Sequence, residues 1–371
     1  MVLRIDRRFS QTRPRYHENG KPCLEPGFSC SIGPGIADER TATSAKIASA
    51  RAACDKYGLM LQRDRPTFDA SRDLLLESNP MAAKTEAVSP AIRDVHVITT
   101  GHVEQHKEHR YGSSKPKLWW VLTSRSWVRI PVNAYAIEHR DGLVLFDTGM
   151  DPTIVSDPNY ISSPIGRFLL PRIFRMHIGP DDALDNRLEA VNLSASDVSK
   201  VILSHLHFDH IGGIAQVPQA ELLVSQDEWQ QLADPQPERE WILRDHIELP
   251  GAKWRPIEFA PNRDPLLASF GGCYDVMGDE SMILLPTPGH TPGSMSLLVR
   301  SKGLPPLLFV GDLTYELGLL LTDQVPGIGD AKVLRASFAK VRGLIEALPD
   351  LVVLPSHDSA VTETLGATLR D

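Results

Sequence analysis

Beyond residue 93 the chain reads as short apolar, β-branched runs separated by polar turns. DVHVITT, VNAYAIEH and LVLFDTG have the composition of strands, and Arg140, Asp141 and Gly142 between the last two predict a hairpin turn. DDALDNRLEAVNL is amphipathic at helical spacing with Asp in its first turn, and the KVILSH that follows is a buried strand running straight into HLHFDH. ELLVS, MILLPT, MSLLVR, LLFVGD and LVVLP are further strands, with a helical SQDEWQQLA after the first of them. Over residues 331–348, Leu334, Phe338, Val341, Ile345 and Leu348 recur at spacings of 4, 3, 4 and 3; Asp330 is placed to cap this helix and Pro349 to stop it. Two groups of strands interleaved with helices predict an α/β fold of two packed sheets covered by helices on both faces, a four-layer αββα sandwich.

Residues 1–92 have a different texture. They mix Pro, Ser, Arg and Gly around one helix-like patch, TATSAKIASARAACDKYGLMLQ, without the period-2 alternation of strands. Five Arg in the first fifteen residues suggest a targeting leader, but Asp6, Glu18 and Glu25 spoil the acid-poor signature of one. The expectation is a poorly ordered N-terminal extension over 1–92, with Met81 a candidate start of translation, and a catalytic domain over 93–371.

Charge sharpens that division. Residues 1–92 carry 14 Lys+Arg against 11 Asp+Glu, and the remainder 25 against 36, so the larger part is strongly acidic. Nucleic acid binding needs a basic face, so polyanionic partners are not expected. No run approaches the roughly 18 apolar residues of a membrane span, and the first residues lack the apolar core of a secretory signal. Cys23, Cys30, Cys54 and Cys273 form no CxxC pair and are too few for a disulfide framework. A cytoplasmic protein without a membrane partner is expected; an oligomer stays open.

The chemistry concentrates in histidine. Of 13 His, five fall at the ends of predicted strands, and the densest piece is His205-Leu206-His207-Phe208-Asp209-His210, followed by Gly212 and Gly213. His205 and His207 alternate by two and project to one side of extended backbone, while Asp209 and His210 turn toward a second point nearby. Imidazole and carboxylate together suit Zn²⁺, Fe or Co, and several such ligands in six residues after an apolar strand point to a catalytic metal.

HLHFDH resembles the HxHxDH hallmark of the metallo-β-lactamase-fold hydrolases, over residues from about 93 to 371. LFDTG, TPGHTPGS, GDLTY and LPSHD stand in the order that family requires. The resemblance implies that His205, His207 and His290 hold one metal, that Asp209, His210 and His357 hold another, and that Asp312 bridges them. Asp147 would brace the binding loop. The implied cofactors are two divalent ions per chain, Zn²⁺ first among them, which together activate water and polarise a carbonyl. No Cys replaces a ligand as in true β-lactamases, and His207 stands where the fold's di-iron oxidoreductases carry Glu.

Within the hydrolases, the match is nearest to the quorum-quenching N-acyl homoserine lactonases. Tyr315 follows Asp312 by three positions as in that family, and the separations of 22 residues from His290 to Asp312 and 45 from Asp312 to His357 look similar. The resemblance implies a small-molecule lactone or ester as substrate, with Tyr315 donating to the substrate oxygen and Asp209 returning a proton to the leaving alkoxide. A longer stretch between His210 and His290 departs from the pattern, so pocket loops do not carry over. The alternatives are a thioesterase like the hydroxyacylglutathione hydrolases, whose GDTLF differs from GDLTY here, and a metal-binding member without catalysis.

Two weaker features remain. His102, His106 and His109 in GHVEQHKEHRYG are flanked by Glu104, Lys107, Glu108 and Arg110, and the all-round polarity predicts a solvated, mobile loop. Trp119, Trp120, Trp127, Phe168, Leu169, Leu170 and Phe174 are assigned to core packing ahead of an acyl-chain pocket.

Overall fold

Twelve strands among the described residues form two sheets. The structure is a computed structural model that describes residues 90–369. In chain order the strands are β1 (Ile92–His106), β2 (Trp127–His139), β3 (Gly142–Phe146), β4 (Phe174–His177), β5 (Val198–Ile202), β6 (Glu221–Ser225), β7 (Lys253–Ile257), β8 (Tyr274–Asp275), β9 (Met282–Pro286), β10 (Met295–Val299), β11 (Leu307–Gly311) and β12 (Val352–Pro355). Seven make one sheet in the order β4-β1-β2-β3-β5-β6-β7, and five make the other in the order β12-β11-β10-β9-β8. The expected hairpin is present, with Tyr135 to His139 of β2 paired antiparallel to β3. The expected extension falls outside the described residues, with its helix-like patch, Met81 and three of the four Cys; only its last residues are described, and Ile92 already opens β1.

The inner faces of the sheets pack on each other through apolar side chains. β10 and β11 are buried along their whole lengths, as expected of continuous apolar runs covered on both faces. Tyr135 and Phe146 of the first sheet meet Phe309 of the second at ring distances of 4.7 and 5.8 Å. The Tyr135 hydroxyl donates to Pro355 O at 2.7 Å, so this buried polar tip is satisfied across the interface.

The polar His102–His109 segment is not a loop. β1 runs on through His106, pairing with β2 on one side and β4 on the other, after an irregularity between Thr99 and His102 where Gly101 takes φ 96°. Helix α1 (Lys107–Tyr111) follows at once, then α2 (Lys117–Thr123). His106 and His109 are buried, because pairing on both edges and the cover of α2 and β4 leave no solvated face. The aromatic assignment also divides. Trp120 is core, Trp119 and Phe168 are mostly exposed, and Phe174, which follows helix α3 (Pro164–Ile173), faces a cavity. The single helix expected over 181–193 is a 3₁₀ turn at Pro180–Asp182 followed by the short α4 (Leu184–Glu189).

Helices complete the outer layers. Leu184 and Leu188 of α4 pack on the outer face of the seven-stranded sheet with Val201, Leu203 and Leu222. After the short α5 (Phe208–Ile211), α6 (Gln226–Trp229) and α7 (Leu317–Leu321), helix α8 (Ala331–Ala347) covers the other sheet with Leu334, Phe338, Val341 and Leu344. Asp330 caps it by accepting from the amides of Lys332 and Val333. Helix α9 (Val361–Thr368) closes the chain's described part. Among the described residues no helix is long and apolar enough to cross a membrane.

β3 is parallel to β5, and β11 to β12, so the C-terminal ends of these pairs carry their following loops to one edge of the sandwich. Loops beyond the carboxyl ends of parallel strands are where α/β sheets build sites. The turn after β3 is bound tightly to α5: Thr148 N donates to His210 O at 2.8 Å and Gly212 N to Gly149 O at 2.8 Å. Gly212 has to be glycine, since a Cβ there would lie 2.2 Å from the backbone nitrogen of Asp151.

Candidate metal centre

Three strand-end loops, after β5, β11 and β12, and the turn between β9 and β10 deliver seven donor side chains to one place. His205 Nε2 and His290 Nε2 each lie 3.0 Å from His207 Nδ1. Asp209, His210 and His357 form a second group, whose ligand atoms lie within 4.8 Å of one another. Asp312 stands between them. Its Oδ1 faces His357 Nε2 at 3.1 Å and His210 Nε2 at 3.3 Å, while its Oδ2 faces His290 Nε2 at 3.4 Å. One carboxylate therefore presents one oxygen to each group.

For three of the rings the surrounding hydrogen bonds place a proton on Nδ1. Pro131 O, 2.8 Å from His357 Nδ1, can only accept, so Nδ1 holds the proton and Nε2 offers its lone pair to the centre. Asp147 Oδ2 likewise accepts from His210 Nδ1 at 2.8 Å, leaving Nε2 buried without a partner. The Ser204 hydroxyl donates to Asp147 Oδ2 at 2.9 Å, so its oxygen accepts from His205 Nδ1 at 2.9 Å and again frees Nε2. Asp147 Oδ1 takes the Ser204 amide at 2.7 Å. This one buried carboxylate orients two imidazoles. It does so from φ 61°, a left-handed conformation that Asp tolerates better than most residues.

Electrostatics shows what the centre suits. Burial, with crowding by the other imidazoles, pushes His205 well below the ordinary histidine range; burial pushes His207 and His290 down to about 3. For His210, burial acts in the same direction, but Asp147, Asp312 and Asp209 overcome it and hold the ring well above its ordinary value. Burial would raise Asp312, yet His357, His210 and His290 hold it well below the carboxylate range. Five imidazoles converging on two carboxylates, with His210 Nε2 and Asp312 Oδ1 buried without hydrogen-bond partners, match the needs of divalent cations with nitrogen and oxygen ligands. Cys273 is buried elsewhere, against Asn262.

The centre opens on a cavity of about 250 Å³, with Tyr315 in its wall. Tyr315 is buried and stacks on the His357 ring at 5.3 Å. Burial first, then the charges of Asp312 and Asp209, keep its hydroxyl protonated far above the usual phenol range. Phe174, Phe208 and Trp241 form the apolar side in edge-to-face contact, with Phe174 to Trp241 at 5.5 Å. Trp241 also borders a second cavity of about 710 Å³ lined by Ile165 and Leu169.

Sequence reasoning missed several of these residues. His109 lines the cavity wedged between Trp120 and Phe174, and burial pushes it down to about 3, so it is a neutral ring. Gln105, Lys117 and Trp241 are also in the wall, and no local pattern marks them. Glu228 is fully buried behind the ligand loops, where burial pushes it up to about 7 against the pull of its donors. Its one signal is the Ser225-x-x-Glu228 spacing of a capping box. Only half of that box forms: Ser225 Oγ accepts from Glu228 N at 3.1 Å, but the Glu228 carboxylate goes to the ligand loops.

The profile of the Metallo-beta-lactamase superfamily matches residues 127–357. An N-acyl homoserine lactonase, AttM of Rhizobium radiobacter, is 29% identical over 235 residues, covering 62% of this chain and 82% of its own. An N-acyl homoserine lactonase of Bacillus cereus is 27% identical, covering 61% and 80%. Among solved structures, an N-acyl homoserine lactone hydrolase with N-hexanoyl-L-homoserine at its catalytic metal center superposes with a TM-score of 0.58 at 22% identity, over 74% of this chain and 96% of that one. That likeness shows a shared fold.

Proposed function

The chain belongs to the metallo-beta-lactamase superfamily, and on that premise we propose that it is a metal-dependent hydrolase that opens lactone rings, N-acyl homoserine lactones or close analogues of them. The observation that carries this reading is the Asp312 carboxylate shared between a three-histidine group and an Asp/His group, with Tyr315 beside it in the wall of the same cavity. The names of the relatives in two bacterial lineages support the lactone as substrate.

His205, His207 and His290 would hold one divalent ion and Asp209, His210 and His357 the other, with Asp312 between and Zn²⁺ the metal that fits the donors best. When bound, such a pair activates water at neutral pH and polarises a carbonyl. The protein's own groups do the rest. The protonated Tyr315 hydroxyl donates to the substrate oxygen as charge develops there. Asp209, the most exposed of the carboxylates at the centre, takes up the proton given off by the attacking water and passes it to the departing ring oxygen. Phe174, Phe208 and Trp241 give an acyl chain an apolar wall. The inner cavity is below the roughly 300–1,000 Å³ of small-molecule sites, so the chain of a larger substrate extends past Trp241.

A panel of lactones of graded acyl length, thioesters and phosphodiesters, assayed on protein loaded with Zn²⁺, tests the function. Lactones should be the best substrates by kcat/KM, with two metals per chain by elemental analysis. Faster thioester turnover would transfer the protein to the thioesterase reading, and two bound metals without turnover on any substrate would make it a binding protein.

Tyr315→Phe isolates the hydroxyl. We expect kcat to fall about 100-fold with metal content unchanged, the range for loss of one donor to a developing oxyanion. Wild-type kcat in that variant would reduce Tyr315 to a packing residue on His357.

A further inference from the structure

Glu228 lies at the start of α6 and is fully buried, and it is not part of the cavity wall. Its Oε1 accepts from Leu206 N at 3.0 Å. Its Oε2 accepts from Thr291 Oγ1 at 2.7 Å and from Gly293 N at 3.1 Å. Leu206 is the residue between His205 and His207, and Thr291 immediately follows His290. One side chain therefore ties together two loops 85 positions apart in sequence, the two that carry the three-imidazole group. Ser225 fastens the second of these loops to the start of α6, donating from Oγ to Gly293 O at 2.6 Å. The approach is close enough that a Cβ on Gly293 would lie 2.0 Å from Glu228 N.

We propose that Glu228 is a positioning residue that sets the separation of His205 and His207 from His290, and with it the affinity of the three-imidazole group for a divalent ion. The inference rests on the reading of that group as a metal site. A carboxylate suits the task because all three partners are donors, and both its oxygens accept. Glutamine cannot replace it fully: its NH₂ would oppose either the Leu206 amide or the Thr291 and Gly293 donors, leaving a buried N–H unpaired. Outer partners of metal ligands typically contribute 10- to 100-fold in metal affinity.

Calorimetric titration of the metal-free full-length protein with Zn²⁺ separates this from general structural support. In Glu228→Gln one of two binding steps should weaken about 10-fold and in Glu228→Ala about 100-fold, while the other step keeps its affinity. Equal weakening of both steps, or of neither, overturns the proposal; should the Ala variant fail to fold, the Gln variant carries the comparison. Hydrogen exchange on the metal-free proteins supplies a readout independent of metal. The Leu206 and Gly293 amides should lose protection together in Glu228→Ala, and retained protection at both overturns the tie. A wild-type protein that takes up no Zn²⁺ would refute the metal site itself, and the exchange result would still decide whether Glu228 couples the loops.

Discussion

On the proposed two-metal lactonase reading, Asp312→Ala should reduce the bound metal to one ion per chain or fewer and lower lactone kcat/KM by more than the roughly 100-fold that loss of a hydrogen-bonding partner behind a ligand costs. Asp312 is the one side chain that presents an oxygen to each group, Oδ2 toward His290 at 3.4 Å and Oδ1 toward His357 at 3.1 Å. Without it, Asp209 is the one carboxylate left in the two groups, on one side of the site, since Asp147 meets His210 from behind at Nδ1. Affinity should fall on both sides, and the geometric relation between the groups is lost with it. Asp312→Asn keeps the volume and one oxygen, and should fall between Ala and wild type in metal content. Elemental analysis, circular dichroism and the lactone assay together make the check. A folded Ala variant with two metals and wild-type turnover would remove Asp312 from the centre.

Asp147 carries the second large effect, and it acts on metal and stability separately. Its carboxylate accepts from the Ser204 amide, the Ser204 hydroxyl and His210 Nδ1, all inside the protein. Removing one partner from a buried charge pair typically costs about 3–5 kcal/mol, because the groups left behind stay desolvated. Asp147→Ala should therefore unfold at markedly lower temperature even without metal, and a residue with a Cβ but no polar group is also poorly suited to φ 61°. Asp147→Asn retains the shape and tolerates the left-handed backbone, but its NH₂ opposes at least one of the donors, which also include Ser356 Oγ at 3.4 Å. The expected result is a Tm much closer to wild type, with metal affinity lowered about 10- to 100-fold. Equal Tm for Ala and wild type would mean that the carboxylate braces nothing.

These residues were legible in the sequence for a specific reason. Asp147, the 205–210 cluster, Asp312 and His357 each directly follow an apolar strand, and His290 sits in a Pro- and Gly-marked turn between two more. Strand ends are visible in hydrophobic patterning, and the donors stand out against it. The cavity wall was not legible because pattern rules describe an isolated segment. HVEQHKEH is polar by composition, yet β4, from 70 residues further on, pairs with β1 at His102 to Gln105 and buries what looked solvated. Glu228 presented a helix cap to its neighbours in sequence and found its partners in loops that the fold brings to it.

By itself, then, the chain determined its strands, its two-sheet class and the chemistry of its donor set, since those depend on local periodicity and on side-chain type. The tertiary structure alone decided how Asp312 divides its oxygens, which nitrogen of His205, His210 and His357 is bare, and which side chains wall the cavity. These are distances of a few ångströms between loops far apart in sequence. They are set by the pairing of β3 with β5 and β11 with β12, and by the packing of one sheet on the other.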